Sequence, residues 1–125
     1  MEKLIATTIF ESLSSGIRLD TYRLLVRQGH TAGMVAGEIA SALGLPPTNM
    51  SFHLKAMAQA NVVTVEQEGR YMRYRANLSL MLDLIAYLTE ECCEGHPEQC
   101  AELRTQSSCS PAVLPPLCCP APKTE

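Results

Sequence analysis

The feature that most constrains this chain is a change of hydrophobic period. Up to residue 60 the apolar side chains recur every three or four positions, the spacing of a helix face, and from Val62 they alternate, the spacing of a strand. Leu4, Ile5, Thr8, Ile9 and Leu13 predict a first helix over residues 3–13, with Ser14 and Ser15 as a break and cap. Ile17, Tyr22, Leu24, Leu25 and Val26 predict a second helix that stops at Gly29. A loop over 30–34 leads to a short helix from Val35 to Leu43, with Val35, Ile39, Ala42 and Leu43 inward and Gly44 at its end. The tight turn Leu45-Pro46-Pro47-Thr48 follows, and Thr48 is the cap or a first-turn residue of a helix reaching Ala60. That helix has an apolar stripe of Met50, Leu54, Met57 and Ala58 and an opposite face of Thr48, Asn49, Ser51, Phe52, Lys55 and Gln59. Residues 62–66 and 70–76 then read as two strands around a turn at Gln67-Glu68-Gly69. Leu78 to Glu91 is a last helix, with Leu80, Met81, Leu84, Ile85 and Leu88 on a wide apolar face.

Two short helices joined by a tight turn, the second opening with small polar donors, form the pattern of a helix-turn-helix. The hairpin after it, with Arg70, Arg73 and Arg75, forms a wing able to reach phosphates or the minor groove. The expected fold is therefore mainly α with a small β-hairpin, a winged helix-turn-helix. Composition agrees. The chain has no Trp and only two Phe, so its core must be built from Leu, Ile, Val, Met and Ala, which favours helix packing over an aromatic-rich sheet. At 125 residues it has room for one core. Residues 1–93 are expected to be the DNA-binding and dimerisation domain, residues 94–104 a binding loop, and residues 105–125, with five of the eight prolines, a disordered tail. Met1 to Leu13 does not read as a signal peptide, and no run of about 18 apolar residues spans a membrane, so a cytoplasmic protein is expected.

Residues 45–75 resemble the ArsR/SmtB family of metal-responsive repressors. The resemblance is carried by Leu45-Pro46-Pro47-Thr48-Asn49-Met50-Ser51-Phe52-His53-Leu54-Lys55, close to the family's recognition-helix pattern of a serine, one residue, then His-Leu. It continues through Ala60-Asn61-Val62-Val63, Glu68-Gly69-Arg70 and Tyr74. It implies a homodimer that binds palindromic operator DNA. Physical chemistry supports the same positions. Asn49 can pair with an adenine edge, Thr48 and Ser51 can donate to bases or phosphates, and Lys55, Arg70, Arg73 and Arg75 can neutralise phosphates. Taken singly, Ser51 and His53 equally serve capping and packing. The net charge of −3 conceals an asymmetry: residues 1–75 carry eight Lys/Arg against six Asp/Glu (+2), and residues 76–125 carry two against seven (−5). Leu4, Ile5 and Ile9 with Leu84, Ile85 and Leu88 offer apolar area for a dimer, some of them serving instead the chain's own core.

All six cysteines lie in the last 34 residues. In a reducing compartment clustered thiols are ligands or redox groups rather than disulfides. The helix-turn-helix segment that holds the arsenic site in well-known family members, here Val35 to Ala40, has no cysteine. Cys92 and Cys93 with Cys100 are the candidate site, similar to a pair and a single cysteine found there in some arsenic-responsive members. On a straight helix Cys93 and Cys100 would sit about 10.5 Å apart along the axis. Gly95 and Pro97 stop that helix and allow the chain to fold back. Three thiolates without a ready fourth ligand suit pyramidal As(III) or Sb(III). His96 can complete a Cys3His set, so zinc, cadmium and lead stay open. The glutamates at 90, 91, 94 and 98 raise thiol pKa values and argue against a catalytic or redox cysteine. No Cys-x5-Arg phosphate loop occurs; Cys109, Cys118 and Cys119 are expected to have no essential role, with Cys118-Cys119 open as a weak second site.

The expectation is a non-enzymatic, homodimeric repressor with no membrane partner, released from operator DNA by As(III) or Sb(III) at Cys92, Cys93 and Cys100. The alternatives are the same fold sensing zinc, cadmium, lead or thiol oxidation, or a metalloid carrier or thiol enzyme without a DNA role.

Overall fold

The computed structural model describes residues 1–29, 31–90, 102–103 and 105–108. The six cysteines, and with them the expected Cys92–Cys93–Cys100 site, lie outside the described residues. Five helices and three strands follow in the order α1 (Lys3–Ser12), α2 (Gly16–Gln28), β1 (Met34–Val35), α3 (Ala36–Leu43), α4 (Pro47–Gln59), β2 (Val63–Glu68), β3 (Tyr71–Ala76) and α5 (Leu78–Thr89). The chain divides into two compact units, Met1–Met81 and Leu82–Glu125.

In the first unit, α2 packs against α3, α4 and β3, and α4 also meets β2. The largest fully buried side chains are Ile9, Leu25, Ile39, Met50, Leu54, Met57 and Val62, with Thr21 the polar member. Both phenylalanines stay outside this core, Phe10 at 48% and Phe52 at 67% exposure. The core is thus mainly aliphatic and methionine-rich, as the composition required, with Tyr22 as a buried aromatic member. In the second unit Leu84 is buried on α5, Leu82 and Leu88 are exposed, and residues 102, 103, 105 and 106 are helical. No helix among the described residues is long and apolar enough to cross a membrane.

The sheet differs from the expected hairpin in having a third strand. Its order is β1-β3-β2, antiparallel throughout, with Met34 opposite Tyr74 and Val35 opposite Arg73. Val35, expected inside the third helix, is a strand residue, and its backbone N–H donates to the Glu38 carboxylate at 3.1 Å. This is half a capping box; valine has no side-chain acceptor for the other half. A two-residue strand is too short to show a period, so the sequence read it as loop and helix. Ala42 is another correction: it is exposed, and Ala40 is the buried neighbour of Ile39. Ser15 holds the cap position of α2 but makes no side-chain cap bond, while Ser14 Oγ donates back to Glu11 O at 2.7 Å.

Candidate nucleic-acid interface

The helix-turn-helix is fixed by how its two helices end. α3 stops at Gly44, whose left-handed backbone (φ +68) lets Gly44 N–H donate to Ser41 O and Leu45 N–H to Ala40 O. This pair of bonds closes the last turn and satisfies carbonyls that would otherwise be orphaned. α4 then starts with Pro47 in its first turn, where the missing N–H costs nothing and the fixed φ suits the helix. Thr48 is therefore a first-turn residue, with Pro46 at the cap position. α4 ends in the same way as α3, on Asn61 at φ +65, with Asn61 N–H donating to Ala58 O and Val62 N–H to Met57 O.

The faces of α4 follow the sequence pattern. Met50, Leu54 and Met57 have no exposed surface, and this stripe seats the helix on the core. Thr48, Asn49, Ser51, Phe52, Lys55 and Gln59 are all exposed on the other side. His53 is half-buried at the edge, where its Nδ1 accepts the Nε–H of Arg18 from α2 at 3.4 Å. It thus acts as a packing and orienting residue. Below it, buried Thr21 donates from Oγ1 to Ile17 O at 2.8 Å and touches Met50 Sδ at 3.8 Å. Arg18 was not singled out by the sequence. Its role depends on a residue 35 positions away, which no local pattern reveals.

The wing divides its arginines by strand register. Glu66 faces Arg73, Thr64 faces Arg75 and Glu68 faces Tyr71, so these residues share the sheet face away from buried Val63 and Ala76. On that face Arg73 Nε bonds Glu68 at 2.9 Å and Arg75 Nη1 bonds Glu66 at 2.8 Å. The same guanidinium groups reach over to the loop before β1. Arg73 Nη1 donates to Ala32 O and Gly33 O, and Arg75 Nε donates to Thr31 O. Glu68 is held below the usual carboxylate range, first by the hydrogen bond from Arg73. Arg73 and Arg75 are thus structural ties, each with Nη2 unpaired among the described residues. Arg70, at the hairpin tip beside exposed Tyr71, makes no side-chain hydrogen bond or ion pair among the described residues. The structure therefore brings Thr48, Asn49, Ser51 and Lys55 onto one exposed helical face, sets Arg70 at the wing tip, and engages His53, Arg73 and Arg75 within the protein.

A family model described as a helix-turn-helix domain matches residues 13–66. Among solved structures, the chain is similar to the homodimeric winged helix-turn-helix DNA-binding domain of Mb0332 from Mycobacterium bovis, a possible ArsR-family regulator. The TM-score there is 0.53 at 24% identity, over 74% of this chain and 84% of that one. This fold is a winged helix-turn-helix. It is also similar to an ArsR-like transcriptional regulator from Rhodococcus sp. RHA1 (TM-score 0.63, 22% identity, 85% and 96% covered). HlyU from Vibrio cholerae N16961 aligns with a TM-score of 0.55 at 22% identity, over 70% and 97% of the two chains. At these identities the likeness is one of fold. No curated protein sequence matches the chain.

Proposed function

We propose that this winged helix-turn-helix protein is a dimeric transcriptional repressor of the ArsR kind, which binds operator DNA through α4 and the wing and is released when As(III) or Sb(III) binds Cys92, Cys93 and Cys100. The observation that carries the DNA reading is the face of α4. Its polar residues are exposed together, while Met50, Leu54 and Met57 bury the opposite side, so the helix is presented outward on a rigid seat. A helix so presented enters a major groove with its first turns against base edges. Thr48, Asn49 and Ser51 stand in those turns, and Lys55 and Arg70 supply phosphate contacts. Dimerisation is supported by the homodimeric state of the M. bovis domain and by the exposed apolar residues Leu4 (74%), Ile5 (44%) and Phe10 (48%) on α1. One module contacts too little DNA for tight binding, and two copies reading a palindrome remove that limit.

The inducer reading rests on donor chemistry. Cys92, Cys93 and Cys100 are soft ligands three in number, the set that a pyramidal trivalent metalloid takes, and the regulator would act without catalysis. Arsenite exchanges its hydroxyls for thiols, and a coupling of about 1–3 kcal/mol between inducer and DNA lowers operator affinity roughly 5- to 150-fold. The test is fluorescence anisotropy on labelled DNA from upstream of the protein's own gene, titrated with arsenite and separately with zinc. The expected result is salt-dependent binding lost with stoichiometric arsenite and retained in the C92S/C93S/C100S protein. Release of that triple variant by arsenite would refute the site. Release by zinc instead would favour the Cys3His alternative with His96.

A further inference from the structure

The outward face of α4 carries one large apolar side chain, Phe52, at 67% exposure. Its position on the helix is specific. With about 100° per residue, the buried stripe of Met50, Leu54 and Met57 fixes an inward direction, and Phe52 falls nearly opposite to it. Gln59, Thr48 and Lys55 lie on one side of the same outward line, all exposed. The ring is therefore the large apolar group that α4 turns away from the core. Among the described residues its aromatic neighbour is His53, met edge-on with centroids 5.7 Å apart at 70°. His53 is in turn held by Arg18, so the ring leans on a fixed support.

A phenyl ring at this point must meet whatever occupies the centre of the groove. The base edges there present hydrogen-bond donors and acceptors, with one apolar exception, the C5-methyl group of thymine. Against any other edge the ring would take polar atoms out of water and give them no partner. We propose that Phe52 reads the C5-methyl of a pyrimidine, thymine in unmodified DNA, and so sets one specificity position in each half-site. The proposal rests on the DNA-binding reading above.

The test uses the full-length protein and its upstream DNA fragment, with each thymine replaced in turn by deoxyuridine, which lacks only the methyl group. Loss of one buried methyl corresponds to about a fourfold fall in affinity per half-site. A deoxyuridine at one symmetric position is expected to produce that fall for the wild type and no fall for F52A. Replacing that T·A pair by C·G is expected to weaken binding further, and 5-methylcytosine to recover part of the loss, which separates methyl contact from recognition of the thymine O4. A scan with no sensitive position, or an F52A protein with the wild-type deoxyuridine penalty, would overturn the proposal. Absence of specific binding by the wild type to unmodified DNA would instead remove the DNA reading and this inference with it. Phe52 is solvent-exposed, so circular dichroism of F52A is expected to match the wild type. F52L, which keeps an apolar contact, is expected to retain part of the deoxyuridine penalty.

Discussion

Gly33 sits where the loop before β1 crosses the charged face of the wing, and substituting it separates two costs. Its backbone has φ +63, and a Cβ built there would lie 2.9 Å from Tyr74 O, 2.9 Å from Arg75 Cγ and 3.0 Å from Arg73 Cγ. The carbonyl belongs to β3, which pairs on both sides, so it cannot give way without disturbing Met34 opposite Tyr74. Gly69 supplies the control, because it has φ +62 and nothing within 4 Å of its virtual Cβ. The left-handed conformation costs an alanine about 1–2 kcal/mol, partly offset by a stiffer unfolded chain. Gly69→Ala should therefore lose about 1 kcal/mol. Gly33→Ala carries the same loss plus a crowding cost of about 1–3 kcal/mol, for a total near 2–4 kcal/mol. Urea unfolding at one fixed protein concentration measures both, read as a lower midpoint with an unchanged slope. If the two variants fall within about 0.5 kcal/mol of each other, the loop does not thread between the arginine stems as described.

The division of labour among the arginines predicts that Arg70→Ala and Lys55→Ala each reduce the slope of log K against log salt by about 0.9 and leave stability almost unchanged. Arg73→Ala should lower stability and change the slope less. Equal slopes for Arg70→Ala and the wild type would remove the wing tip from the interface. Asn77 Nδ2 donates to Asn61 O at 2.8 Å, and its Oδ1 accepts from Leu80 N at 3.3 Å as the cap of α5. Asn77→Ala should cost about 1–2 kcal/mol, and Asn77→Asp, which keeps the cap acceptor, should recover part of that in thermal unfolding. Tyr22 is buried, its hydroxyl has no hydrogen-bond partner among the described residues, and burial pushes its pKa up to about 12. Its folded pKa exceeds the unfolded value near 10, so its contribution is complete below pH 10 and lost as pH rises towards 12. Tyr22→Phe should flatten that alkaline limb without lowering stability at pH 7, and a loss above about 1 kcal/mol there would show that the hydroxyl has a partner.

The helical part of the fold was legible because burial follows period. Met50, Leu54 and Met57 recur at helical spacing and are all fully buried, and the exposed residues between them are those expected to face DNA. What the sequence did not reveal depends on contacts across long separations. β1 exists because Met34 and Val35 complete the edge of β3, some 40 positions later, and two residues carry no period of their own. The wing arginines looked equivalent in sequence because charge alone was visible. Register decides between them, placing Glu66 and Glu68 beside Arg73 and Arg75 and leaving Arg70 beyond the last pair. His53 was ambiguous for the same reason: Arg18, its partner, lies on another helix.

Under the proposed function, these contacts also limit how an inducer would release DNA. α4 is seated by three fully buried side chains, steadied at His53 by Arg18 and closed at its end by the Asn61 turn. Tilting it within its own subunit would expose that stripe, and truncating even one buried leucine or methionine costs about 2–5 kcal/mol. That exceeds the 1–3 kcal/mol typical of coupling between sites. Under the proposed function, a signal arising at Cys92, Cys93 and Cys100 would act more cheaply by moving whole subunits relative to each other, so that two intact recognition helices no longer match one DNA period. The Asn61 turn and the start of α5 share Asn77, whose backbone N–H also donates to Val62 O at 3.0 Å. This makes Asn77 a hydrogen-bonded link between the end of the recognition helix and the start of α5. Asn77→Ala is therefore expected to weaken the effect of arsenite on DNA affinity more than DNA affinity itself, measured by anisotropy with and without arsenite. Equal loss of both would mean that the link serves stability alone.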